Sequence, residues 1–313
     1  MEAKQEDWFF RVIKKSKPFH FFRKWASRIH PPGFEGINLY ETGHFFYHGI
    51  DKGALPTRAS AMSFNFFLAI FPSIIFIFTL IPYIPIHNFQ LQLLQLIKNV
   101  MPPASFTAAE ETLVDIVTHQ HGKLLSVGFV TALYFSTNGF NSMINAFNSS
   151  YHVLETRMPL QQRLVSFFLV IIFSVLLTMA IGLMVGSDYI TRVVLPKGHW
   201  AYYFIKTTHW IILSSLLFTV ISFCFYLGPA SKAGWKFISA GSTLATILCA
   251  ITSLAFGYYV GHFGKYNKIY GSIGTLLVVL MWIYLNCLVL LIGFDFNAGI
   301  HSAKRKKTAV MPQ

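Results

Sequence analysis

Charged residues disappear from this chain in six long intervals. No Lys, Arg, Asp or Glu occurs in 59–86, 124–154, 164–187, 207–231, 237–264 or 269–294. A helix rises about 1.5 Å per residue, so about 20 apolar residues cross the hydrocarbon core of a bilayer. The pattern predicts an all-α fold: a polytopic membrane helical bundle with six transmembrane helices. The expected spans are about 59–86, 124–148, 164–187, 208–228, 237–261 and 270–294. Six of them in 313 residues leave little room for a soluble catalytic domain.

The flanking segments follow from the same pattern. Residues 1–58 form a basic and aromatic region. Phe21, Phe22, Trp25 and Ile29 recur at helical spacing, with Arg23, Lys24 and Arg28 elsewhere on the wheel. That distribution suits a helix lying in a membrane interface, ended by Pro31–Pro32–Gly33. A short helix at 37–50 then feeds the first span. Pro72 should kink that span, because it lacks an N–H and clashes with the preceding turn. Between the first two spans, 87–123 is the longest outside loop. Phe89, Leu91, Leu94, Ile97 and Val100 are spaced for an amphipathic helix, and a second helix is expected from Ser105 to about His119. The other connections are short, which makes successive helices antiparallel neighbours. The transmembrane domain is assigned to 59–297, and 298–313 is a basic tail.

Composition agrees with this reading. Hydrophobic residues make up 54% of the chain and charged residues 12%, about half the charged share of a soluble domain. The net charge of +13 changes the picture only through its distribution. With the N-terminus in the cytoplasm and alternation across six spans, 18 of the 25 Lys and Arg residues fall inside. The opposite orientation would violate the positive-inside rule. Both termini are therefore expected in the cytoplasm, and the expected partners are membrane lipids, including the anionic lipids of the cytoplasmic leaflet. Nucleic acid is not an expected partner, since no basic stripe belongs to a recognisable binding module. Cys224, Cys249 and Cys287 all fall inside spans, so they read as small apolar side chains rather than a disulfide framework. The first apolar run begins too late and runs too long for a cleaved leader, so the first span is expected to act as an uncleaved insertion signal.

Polar residues inside the spans supply the candidate chemistry. Asn138, Asn141, Asn145 and Asn148 share one face of the second span. Four amides against lipid would be expensive, so that face should meet protein or water. It is either one wall of a cavity or substrate pathway, or a set of interhelical hydrogen bonds. The fifth span carries a small-residue stripe that includes Ser253, Gly257 and Gly261, a face that allows close helix packing. Asp295 lies at the end of the sixth span and Arg58 begins the first on the same side. The two are candidates for a gate or a helix-end ion pair. His44 and His48, and His119 and His121, lack the further ligands of a zinc site. No nucleophile elbow or phosphate-binding loop occurs, so no metal, cofactor or catalytic residue is expected.

Three groups of residues resemble a known family. The first is Arg58–Ala59–Ser60–Ala61 followed by Phe71–Pro72. The second is Phe140–Asn141 through Tyr151, with Arg157 and Arg163–Leu164–Val165. The third and most specific runs from Tyr270–Gly271–Ser272–Ile273–Gly274 through Leu280–Met281–Trp282–Ile283–Tyr284–Leu285 to Gly293–Phe294–Asp295–Phe296–Asn297–Ala298. Over about residues 40–300 the chain resembles the YihY/virulence factor BrkB family of bacterial inner-membrane proteins. That family usually has Glu where Asp295 stands, and a basic or polar residue where Gly139 stands. The resemblance implies six transmembrane helices, cytoplasmic termini and the bacterial cytoplasmic membrane. Members have carried ribonuclease and serum-resistance labels, but phosphodiester hydrolysis commonly uses clustered carboxylates with divalent metals, and only Asp295 approaches such a position. The expected function is transport or lipid translocation in the cell envelope, without catalysis, acting on a lipid or small solute. A structural or partner-binding envelope protein is the alternative, and a membrane enzyme the third reading.

Overall fold

In the computed structural model the described residues are 55–83, 103–150, 157–193, 200–230, 236–262 and 266–310, with isolated positions 94, 95 and 98. The expected interfacial helix at 21–29 and short helix at 37–50 lie outside them, as does most of the amphipathic stretch 89–100.

Seven helices account for nearly all of the described chain: α1 (Leu55–Leu80), α2 (Pro103–Thr118), α3 (Gly122–Ser150), α4 (Pro159–Val193), α5 (Trp200–Leu227), α6 (Ala240–His262) and α7 (Tyr266–Val310). Their ends have identifiable causes. α1 passes into a single 3-10 turn at Ile81–Tyr83, where Pro82 cannot continue the hydrogen-bond ladder. α1 runs unbroken through Pro72, and the Ser73 hydroxyl donates to Ala69 O at 2.7 Å. α4 opens on Pro159, favoured at a first helical position, and the Gln161 side chain reaches back to accept from Met158 N at 3.2 Å. α6 is capped reciprocally: Ser242 N donates to Ser239 Oγ and Ser239 N donates to Ser242 Oγ, at 3.1 and 3.2 Å.

Five helical stretches are long and apolar enough to cross a membrane: Leu55–Tyr83, Pro159–Met184, Thr207–Leu227, Ala240–Gly261 and Leu276–His301. The sixth expected span falls in α3. Its 29 residues extend about 43 Å, ample for a crossing, but its hydropathy falls short. The cause is the asparagine set, with Ser136, Thr137 and Ser142 beside it. Another difference concerns the end of the chain. The basic run 304–307, expected as a tail, continues α7 as helix to Val310. Ala, Lys and Arg are strong helix formers, and extending an existing helix costs far less than nucleating one.

The six long helices close into a ring in which α1, α3, α4, α5, α6 and α7 each touch the next, and α7 returns to α1. α3 and α7 also meet across the interior. The small α2 sits at one end against the Ile81–Tyr83 turn. The core lies toward the opposite end, where α1 begins. There Phe147 of α3, Phe225 of α5 and Phe294 of α7 are almost fully buried. Phe147 stacks on Phe294 at 4.1 Å, and Phe225 meets both edge-on at 5.4–5.5 Å. Away from this cluster the helices turn Ile, Leu, Val and Phe outward, as a surface solvated by lipid requires.

Candidate functional site

Alternating helix directions bring the start of α1, the end of α3, the start of α4, the end of α5 and the last part of α7 to the core end of the ring. The polar residues singled out along the sequence therefore converge there, in two clusters.

The first cluster joins α1, α3 and α7. Arg58 Nη2 donates to Asp295 Oδ2 at 3.1 Å, and the two side chains are only 11% and 4% exposed. Arg58 Nη1 donates to Ala146 O at 2.9 Å and also to the Ser150 hydroxyl. Ser150 passes its own proton to Ala146 O at 3.1 Å. One guanidinium thus ties the start of α1 to the last turn of α3 and to α7. A carboxylate opposite an arginine can accept two parallel hydrogen bonds, yet this contact uses one. Arg58 Nε and Asp295 Oδ1 are buried and find no hydrogen-bond partner in the protein. The ion pair lies directly beside the aromatic cluster, since Asp295 follows Phe294 in α7.

The second cluster joins α3 to α4 and α5. Gln162 Nε2 donates to Asn141 Oδ1 at 2.7 Å and to Asn145 Oδ1 at 2.8 Å. Arg163 Nη1 donates to Asn138 Oδ1 at 2.5 Å and more weakly to Thr137 Oγ1 at 3.4 Å. The Arg163 guanidinium also lies 5.3 Å from the Tyr134 ring centre, within range of a cation–π contact. Asn148 accepts from Ala230 N at 2.9 Å, beyond the end of α5. Arg157 donates to Leu227 O and Gly228 O, carbonyls at the α5 terminus that lack an intrahelical donor. Each of the four asparagines therefore has a protein donor on its amide oxygen. The sequence placed the four on one face, but their partners Gln162 and Arg163 belong to another helix and show no periodic signal. A Gln–Arg pair just after a helix-starting Pro was the one available hint.

The small-residue contact is placed differently from expectation. A side chain at Gly293 would stand 2.6 Å from Ala245 Cβ and 2.8 Å from Gly241 O, and one at Gly241 would stand 2.4 Å from Gly293 O. This crossing of α6 and α7 is the close approach. A Cβ at Gly257 or Gly261 would meet no atom within 4 Å among the described residues, and both are exposed along with much of that half of α6, while Ser253 is half-buried. The stripe shows where close packing is sterically allowed, and at Gly257 and Gly261 an added side chain meets nothing among the described residues.

At the far end, Asp115 lies between two imidazoles: Oδ1 is 3.2 Å from His119 Nδ1 and Oδ2 is 3.2 Å from His121 Nε2. Among the described residues no three His, Cys, Asp or Glu side chains converge in a way that could hold a metal ion.

Comparison with known proteins assigns the architecture. About 80% of this chain aligns with 91% of the ribonuclease-like protein YfkH of Bacillus subtilis, at 30% identity over 259 residues. The UPF0761 membrane protein NTHI0384 of Haemophilus influenzae is 26% identical over 82% of this chain and 94% of its own length. A UPF0761 membrane protein of Aggregatibacter aphrophilus is 23% identical over 86% of this chain and 95% of its own. No solved structure matches. Residues 46–312 match the family described as Virulence factor BrkB, so this chain is a membrane protein that belongs to the virulence factor BrkB family.

Proposed function

We propose that this protein is a six-span transporter or lipid translocator of the bacterial cytoplasmic membrane, with α3 as the sixth span and both termini in the cytoplasm. The placement of α3 is supported by its position in the ring: it is a neighbour of α1 and α4, two of the apolar helices. Three of its asparagines, Asn138, Asn141 and Asn145, accept hydrogen bonds from Gln162 and Arg163. The orientation is supported by the excess of Lys and Arg on the Arg58 side.

One observation carries the transport reading. The buried Arg58–Asp295 contact is half-made, and it joins α1 to α7 beside a cluster of three phenylalanines. Ionisable residues inside a membrane protein are costly and can mark pathways and gates as well as helix contacts. Separation of α7 from α1 breaks one ion pair and opens the junction of α1, α3 and α7 to the cytoplasm. In this reading the substrate is a lipid or small solute, and no catalysis is assigned. The ribonuclease-like name of the Bacillus relative is not carried over, because Asp295 stands without a second carboxylate among the described residues near it.

The alternative, a structural or partner-binding envelope protein, is favoured by a different observation: every asparagine of the α3 face already has a protein donor. Reconstitution into vesicles carrying fluorescent lipids and candidate solutes separates the two. Movement above the empty-vesicle control, altered in an Asn141→Leu/Asp295→Asn double variant, is expected for the transporter. No movement of either cargo under any imposed gradient supports the structural protein instead.

A further inference from the structure

We propose that the groove between α3 and α4 at Arg163 is a binding site for the phosphate of a membrane phospholipid. The proposal rests on α3 and α4 being neighbouring spans, and does not require that anything be transported.

Arg163 is the fifth residue of α4, about 6 Å into the helix. Its Nη1 is held by Asn138 and Thr137, and its Cζ lies over the Tyr134 ring. These contacts fix the guanidinium and leave its other edge. Nε and Nη2 take no protein acceptor, and no carboxylate pairs with Arg163 among the described residues. Neither nitrogen is a buried orphan, so both donors reach the protein surface. Two parallel N–H groups on one guanidinium edge match two oxygens of a phosphate, a geometry that a lysine does not provide.

The surroundings select a lipid over a soluble phosphate. Tyr134, on the α3 wall, is 55% exposed and sets an aromatic ring with a polar tip beside the guanidinium. Along α4, Leu160, Leu164, Phe168, Ile171 and Val175 repeat at helical spacing and are all exposed. From Leu164 onward they form an apolar track leading away from the start of α4 past Arg163, where an acyl chain can lie. A cation at the head of an apolar track complements one molecule class, a phosphate ester carrying hydrocarbon chains.

The test is native mass spectrometry of the full-length protein in detergent, titrated with phosphatidylglycerol. Arg163→Gln is expected to raise the dissociation constant of the tightest-bound lipid about tenfold. Arg163→Lys, which keeps the charge but loses the fork, should raise it about threefold. Tyr134→Leu leaves Asn138 in place and should weaken binding about twofold to threefold by releasing the guanidinium. Should the glutamine variant fail to fold, judged by helix content, the other two carry the measurement. Wild-type lipid affinity in the folded Arg163 variants overturns the proposal. Competition by millimolar glycerol phosphate overturns the lipid assignment, and its absence supports it. Either result stands apart from the vesicle transport assay, which reads movement rather than occupancy.

Discussion

Arg58 and Arg163 guard the same end of the bundle and are accommodated in opposite ways. Arg58 is drawn into the ring, where a carboxylate, a backbone carbonyl and a hydroxyl from two other helices surround it. Arg163 stays at the α3–α4 edge, where an amide and an aromatic ring hold one side and the other remains accessible. The difference follows from where the balancing charge comes from. Inside the ring, water is excluded and the protein must supply the anion itself. At the edge, solvent or a headgroup can supply it, so a neutral amide suffices to orient the side chain. The first arrangement holds helices together, and the second presents a charge outward.

The largest expected effect comes from breaking the inner site. Arg58→Leu leaves Asp295 buried without a cation and should destabilise the protein by about 3–5 kcal/mol. Thermal unfolding in detergent would register this as a large drop in midpoint. The Arg58→Leu/Asp295→Leu double variant should recover most of the loss, because both buried charges go together. Equal losses in the single and double variants would mean that the charges are not coupled, and the contrast with Arg163 would lose its basis.

A second effect tests whether the inner region is as tightly constrained as its ion pair. Gly293→Leu forces side-chain atoms into Ala245 and the Gly241 carbonyl, and overpacking of this kind costs about 1–3 kcal/mol. Gly257→Ala lies on the exposed part of α6, where added methyl volume meets nothing. That change should be neutral or stabilising by up to about 1 kcal/mol, since alanine is the better helix former. Comparable losses at both positions would show that Gly257 also has a partner helix, contributed by another copy of the chain.

Much of this geometry was legible in the chain. The uncharged windows located α1 and α4 through α7, because crossing a bilayer demands length and apolarity that sequence displays directly. The expected helix at 105–119 lies within a residue or two of α2. Arg58 and Asp295 were readable as candidate partners because alternating spans return the chain to the same side. What was not legible depends on rotation about helix axes. Gln162 and Arg163 answer the asparagines only because α4 turns that face toward α3. The glycine crossing likewise uses Gly241, next to the start of the stripe at Ser242, and Gly293 of the facing helix. Spacing within one helix fixes a face, and only packing decides which helix it meets.

At the α3–α4 seam a smaller effect is expected. Gln162→Leu removes the donor shared by Asn141 and Asn145, and single interhelical hydrogen bonds in membranes are worth about 0.6 kcal/mol. A loss near 1 kcal/mol in thermal unfolding would match two such bonds. A double-mutant cycle with Asn141→Leu should show coupling, since the partners are in contact. No coupling would mean the amides are satisfied otherwise, and the seam would be a looser edge than the one that positions Arg163.

The smallest intrinsic effect, and the sharpest for the comparison, is at Arg163 itself. Arg163→Gln retains a donor for Asn138 and removes a charge the protein does not pair, so lipid-free stability should change by about 0.5 kcal/mol or less. Its response to lipid should change more. A ligand bound only by the folded state raises stability by RT ln(1 + [L]/Kd), so phosphatidylglycerol should raise the unfolding midpoint of the wild type in a dose-dependent way. Arg163→Gln should flatten that dependence, because a tenfold weaker site needs tenfold more lipid for the same gain. Asp295→Asn should lower the starting midpoint and keep the wild-type lipid slope, since the Arg58 site lies inside the ring and offers no accessible edge. Two parallel curves from Asp295→Asn and the wild type, with a flatter one from Arg163→Gln, would establish that the two arginines answer to different anions. A flattened lipid response in Asp295→Asn would instead couple the two sites, making lipid occupancy at the edge sensitive to the closed state of the ring.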